Sequence, residues 1–160
     1  MTPELNKRGG VTIGSLSTLC PWEALLVREL RLWCAGPSGQ AAVWRDYASH
    51  LSSEMAAQEI RVFGDLITLL SRNARRPLVH HCVDCDCLGA DEGVFLHIVG
   101  AASEGDLGDA AMLAGLVVLP AHAEHVALLA AQVGTVTRRI SRSAAKHKKP
   151  GDATNVVRLH

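Results

Sequence analysis

"SEMAAQEIRVFGDLITLLSRNARRP", residues 53–77, sets the fold class. Ala56, Ile60, Phe63, Ile67 and Leu70 recur at steps of three and four, the spacing that lines up one face of an α-helix. The pattern predicts a helix over 53–73. Arg72, Arg75 and Arg76 put positive charge at the end where the helix dipole is negative, and Pro77 stops it.

Upstream the same period recurs twice. In "CPWEALLVRELRLWCAGP", residues 20–37, Pro21 suits a first helical position, Glu23 favours the positive dipole end, and Gly36–Pro37 ends the element. Leu25, Leu26, Leu30 and Trp33 form its apolar stripe. In "SGQAAVWRDYASHL", residues 38–51, Ser38 is the expected N-cap, with Ala41, Trp44, Ala48 and Leu51 facing inward. Trp33, Trp44 and Tyr47 read as packing residues, because aromatics on helical stripes bury large areas.

Downstream, "ADEGVFLHIVGAAS" at 90–103 predicts a helix begun by Asp91 and Glu92, with Val94, Phe95, Ile98 and Ala102 inward. "LGDAAMLAGLVVL" at 107–119 is apolar nearly all round, which places it in the middle of a bundle. Pro120 opens a last helix carrying Val126, Leu129, Val133 and Ile140. No alternating β-branched run with hairpin turns occurs; "PLVHHCV", residues 77–83, is the single strand candidate. The reading is an all-α, single-domain bundle of about six helices. A Cys/His-rich loop joins the third to the fourth. Residues 1–16 are expected to form a flexible N-terminal arm, 17–140 the helical domain, and 141–160 a basic flexible tail.

With 160 residues, 48% of them apolar, the chain suffices for one hydrophobic core and is too short to expect two. Sixteen basic residues balance sixteen acidic ones, which excludes the strong positive charge of a dedicated nucleic-acid binder. No segment has the run of apolar residues that a membrane span needs, and the start lacks the apolar core of a secretory signal, so a cytoplasmic location is expected. The five cysteines, three of them within 82–87, do not resemble a secreted disulfide framework.

That cluster, "HHCVDCDCLGADE" at 80–92, carries the chemistry. Thiolate and imidazole are ligands zinc prefers, and a tetrahedral site takes four. Cys82, Cys85 and Cys87, spaced C-x2-C-x-C, supply three; His81 is the expected fourth, with His80 as substitute. No second cysteine pair follows at zinc-ribbon distance, so Cys20, Cys34, His97 or His122 would be the distant alternatives. An iron–sulfur cluster fits less well, because it normally takes four thiolates. The loop also permits thiol redox chemistry, with Cys85 or Cys87 oxidised and the other resolving; because C-x-C spacing strains a disulfide, Cys82 with Cys87 is the expected pair if one forms. Asp84, Asp86, Asp91 and Glu92 oppose thiolate formation and favour a bound cation. Asp91 and Glu92 also suit a helix start, or a position behind a ligand histidine.

Elsewhere the signals are weaker. His122 and His125 lie one turn apart and could share a metal. No nucleophile-elbow, phosphate-loop or zinc-protease motif occurs, which points away from an enzyme. The run "RRISRSAAKHKK", residues 138–149, could contact nucleic acid, although it has no aromatic to stack on bases. "LRLWCAGPSGQAAVWRDYA", "RRPLVHHCVDCDCLGADEGVF" and "EGDLGDAAMLAGLVV" together resemble a family of small helical proteins from alphaproteobacteria with a C-x-C-x-G-x-D-E stretch. The resemblance spans about residues 20–140 and implies a cytoplasmic bacterial protein with no assigned activity. The leading expectation is a cytosolic binding or regulatory protein with a structural zinc site at Cys82, Cys85, Cys87 and His81. Two alternatives stand beside it: a thiol redox sensor, and a metal-free helical module that pairs with itself or another protein.

Overall fold

The computed structural model describes residues 8–148 and is an all-α bundle of six helices with one small two-stranded sheet. The helices are α1 (Pro21–Cys34), α2 (Pro37–His50), α3 (Ser53–Asn73), α4 (Ala90–Ser103), α5 (Leu107–Val117) and α6 (Ala123–His147). Their starts follow capping chemistry. The Ser52 hydroxyl accepts the Met55 N–H at 3.3 Å to open α3, Asp106 accepts the Asp109 N–H at 3.2 Å to open α5, and Glu23 accepts the Cys20 N–H at 3.0 Å before α1. No described helix is long and apolar enough to cross a membrane.

One core cluster gathers Leu26 and Val27 of α1, Phe63, Leu66 and Leu70 of α3, and the inner faces of α4, α5 and α6. A second lies between α2, the first half of α3 and the later part of α6, with Val43, Tyr47, Ile60 and Ile140. Phe63 joins them: its ring meets Trp33 and Tyr47 edge-on, with centroids 5.4 and 6.5 Å apart. The second cluster holds an unusual polar group. Glu29 of α1 is 1% exposed, and neither of its carboxylate oxygens, nor the Tyr47 hydroxyl, nor that of Thr137 on α6, has a hydrogen-bond partner among the described residues.

Several expectations are corrected. The N-cap of α2 is Gly36, whose φ of 105° suits glycine, so the helix starts at Pro37 rather than after Ser38. Its buried stripe is Gly39, Val43 and Tyr47; Ala41, Trp44 and Ala48 face out, because Tyr47 is the aromatic that reaches Phe63. Helix α5 is not the centre of the bundle. It buries only Ala110 and Ala114, the small residues that let it approach α4 and α6, and leaves Met112 and Leu116 each 67% exposed. The close central pair is α4 with α6, where a Cβ at Gly134 would stand 2.6 Å from the Ser103 Cβ.

Both ends of the described chain are more ordered in their structure than the sequence suggested. Residues 77–83 form no strand; the strands are β1 (Thr12–Ser15) and β2 (Cys87–Gly89), antiparallel, pairing Thr12 with Gly89 and Ser15 with Cys87 across a bulge. Part of the expected arm is thus fastened to the Cys loop. At the other end α6 continues through Ser141 to His147, so Arg138, Arg139, Arg142 and Lys146 are helical. Arg138 is already engaged: it stacks over Trp22 at 4.0 Å and donates to Ser103 and Glu104. Residues 1–7 of the arm and 149–160 of the tail lie outside the described residues.

Candidate functional site: a cysteine loop folded around an arginine

Between the end of α3 and the start of α4 the chain has little regular structure of its own, so its shape is set from outside. The agent is Arg31 of α1, 1% exposed. Its Nε and Nη2 donate to the two Glu92 oxygens at 2.7 and 2.9 Å, a bidentate pair. Nη1 donates to the carbonyls of Cys82 and Cys85 at 3.1 and 2.6 Å, and Nη2 to that of Cys87 at 2.6 Å. The backbone oxygens of all three loop cysteines therefore converge on one guanidinium.

Glu92 completes the arrangement from the other side. It also accepts the backbone N–H of His81 at 3.1 Å and that of Gly89 at 2.8 Å. Burial works against its ionisation, but Arg31 and these two N–H donors outweigh it and hold the carboxyl below the usual carboxylate range. The same pair raises the Arg31 guanidinium, chiefly through the Glu92 hydrogen bond. Asp91 does for the loop's beginning what Glu92 does for its middle: it pairs with Arg76 at 2.7 and 2.9 Å and accepts the Val79 N–H at 2.8 Å. Two adjacent carboxylates at one helix start thus each hold one arginine and at least one loop N–H.

The outer edge of the loop is held by the end of β1 and the turn Leu16–Thr18 that follows it. Leu16 N–H donates to the Asp86 carbonyl at 2.7 Å, the Ser17 N–H to the Asp86 carboxylate at 3.2 Å, and the Ser15 hydroxyl to the same carboxylate. Among the cysteines, Cys82 is exposed, and Cys85 and Cys87 are half-buried. Cys82 and Cys85 close a turn through a 3.2 Å N–H to carbonyl bond. The Cys85 sulfur accepts the Cys87 N–H at 3.4 Å, and the neighbouring Cys85 raises the Cys87 thiol above its ordinary value.

The two histidines diverge. His80 is exposed, its Nδ1 within 3.0 Å of the His81 carbonyl, whereas the His81 Nε2 is buried with no hydrogen-bond partner among the described residues. Among the described residues no three His, Cys, Asp or Glu side chains are grouped as a metal ion needs. Thus Cys82, Cys85, Cys87, His81 and His80 share one loop but are not grouped as one coordination shell; the one sulfur among them that accepts a hydrogen bond from another member is that of Cys85, from the Cys87 N–H. His97 and His125 are exposed on α4 and α6, and Cys20 and Cys34 are free. Asp91 and Glu92, read as a helix start, also prove to be the loop's anchors. Arg31 was missed. The available signal was a charged residue four positions after Val27, on the same buried stripe.

No family model, curated protein or solved structure matches the chain.

Proposed function

We propose that the protein is a thiol redox sensor in which Cys85 is oxidised and Cys87 resolves it, acting in a reducing compartment such as the cytoplasm. The observation that carries this reading is the Cys87 N–H on the Cys85 sulfur at 3.4 Å, in a loop whose three cysteine carbonyls all rest on the buried Arg31. Arg31 lies close enough that charge on Cys85 or Cys82 stabilises its guanidinium. A peroxide, ROOH, then transfers its terminal oxygen to the Cys85 thiolate, giving sulfenic acid and the alcohol once RO⁻ takes up a proton. The Cys87 sulfur attacks the Cys85 sulfur, the S–S bond forms, and the sulfenic oxygen leaves as water. Two electrons have passed from the sulfurs to the peroxide, and a cellular dithiol returns them by exchange.

A bond between Cys85 and Cys87 closes a short ring, so the intervening backbone must shift. The carbonyls of those two residues rest on Arg31, and Cys87 pairs with Ser15 of β1. Oxidation is thereby transmitted to the α1–α4 ion pair and to the N-terminal strand. The test is mass analysis of the loop peptide after brief peroxide treatment. The expected result is loss of two hydrogens across Cys85 and Cys87, no such loss in Cys85→Ser, and a sulfenic acid trapped by dimedone in Cys87→Ser. Unmodified thiols at peroxide levels that oxidise a free cysteine peptide would refute the reading.

A structural zinc site is the second reading, supported by the unpartnered His81 Nε2 and the Cys82–Cys85 turn. Elemental analysis of protein purified without a histidine tag tests it: about one zinc per chain supports it, and zinc far below that removes it.

A further inference from the structure

Behind the Cys loop, between α1, α3 and α4, lies a cavity of 290 Å³ that no residue of the redox pair lines. Its walls are chiefly Leu30, Ile67, Leu70, Val94, Phe95 and Ile98, and the segment Pro77–His80 forms one side. Protein cores rarely keep voids larger than a water molecule, because unfilled apolar volume forfeits contacts. An apolar cavity of about 150 Å³ takes benzene, so this one has room for roughly a two-ring molecule. It is far too small for a helix or a folded partner.

The charges around it restrict what enters. Asp91 and Glu92 reach the cavity wall, but each is already paired, with Arg76 and Arg31 respectively. The Cys34 thiol at the edge is held neutral, its pKa raised by desolvation. His80, at the exposed rim, is the only lining side chain among the described residues able to carry positive charge. An anion would therefore meet two carboxylates and no free arginine or lysine.

We infer that this cavity is a binding site for a small, uncharged, apolar molecule of about two rings. The site stands apart from the oxidation of Cys85, but it is mechanically joined to the loop. Val79, on its wall, donates its N–H to Asp91, and Glu92 holds the His81 N–H one residue beyond His80.

Two dyes with the same two-ring system test the inference, 1-naphthylamine, which is neutral at pH 7, and its sulfonate, 1-naphthylamine-5-sulfonate. The full chain, kept reduced, should bind the neutral dye with a fluorescence rise saturating at one per chain, and the sulfonate at least tenfold more weakly. Val94→Trp and Leu30→Trp, which fill the cavity, should each weaken the neutral dye at least tenfold, while Met112→Ser with Leu116→Ser on the outer face of α5 should not. Since a filled variant could misfold, intermolecular NOEs from the dye to the Ile67 and Ile98 methyls are read in the unmodified chain. Sulfonate binding as tight as the neutral dye, dye lost only in the α5 variant, or no contact to those methyls would each overturn the inference.

Discussion

Replacing Glu29 by glutamine should make the protein more stable at neutral pH and flatten its pH profile. The carboxyl of Glu29 is pushed up from 4.5 to about 8, first by burial and then by the nearby charge of Asp46. Below pH 4.5 the carboxyl is neutral in both folded and unfolded chains and exerts no pH-dependent effect. Between 4.5 and about 8 the unfolded chain releases the proton while the folded chain keeps it, so stability falls as pH rises; above that range the loss is complete. Each pH unit in the window costs about 1.4 kcal/mol. The loss at pH 7 is therefore about 3 kcal/mol, a large fraction of the total for a domain of this size. Glutamine keeps the shape of the neutral acid and cannot ionise. Urea unfolding of both chains under reducing conditions, followed by circular dichroism, should give similar stabilities at pH 5. By pH 7 the variant should lead by a further ~2–3 kcal/mol, the slope of the window taken over two pH units. Comparing the two chains cancels every other titrating group. Parallel pH profiles from pH 5 to pH 8 would refute the reasoning.

Arg31→Met leaves the buried Glu92 carboxylate without its partner and should cost about 3–5 kcal/mol in urea unfolding; Arg31→Lys should recover only part of this, since an ammonium cannot bridge Glu92 and three carbonyls in one plane. Because the folded carboxyl of Glu92 lies below its ordinary value, the stability it contributes is present above about pH 4.5 and lost as pH falls through the folded pKa; wild type should show a steeper acid limb than Glu92→Gln, measured by the same unfolding at pH 3–6. Gly134→Val should force α4 and α6 apart and lower stability by at least ~2 kcal/mol, read as a drop in melting temperature, while Gly108→Ala, which has open space for a Cβ, should not lower it.

Helix α3 was legible because its pattern and its packing agree: Ala56, Ile60, Phe63, Ile67 and Leu70 are all buried in the structure. Where large and small apolar residues share a helix, hydropathy alone misled. Leu and Met dominate the pattern of α5, yet close approach selects alanines for the inward face, which leaves Met112 and Leu116 outside. The strands were illegible for a different reason: β1 has no neighbour in sequence to pair with, and its partner is a loop more than seventy residues away. The basic run beyond Ile140 lacks an apolar stripe, but it continues a helix already formed and so needs little packing of its own. In the Cys loop, spacing revealed which donors were near one another in the chain. It did not reveal that the backbone oxygens face Arg31, because that depends on a residue 51–56 positions upstream.

That separation has a bearing on how the molecule assembles. Arg31 and Glu92 are 61 residues apart, so their pairing closes most of the distance between the first and fourth helices in one contact. Contacts of that span form after local helices, and until this one forms the cysteine loop has no template. The thiols consequently acquire their mutual arrangement only in a chain whose first helix has docked. Under the proposed redox role, paired oxidation of Cys85 and Cys87 is then a marker of completed folding, and a partly unfolded molecule presents ordinary, independent cysteines.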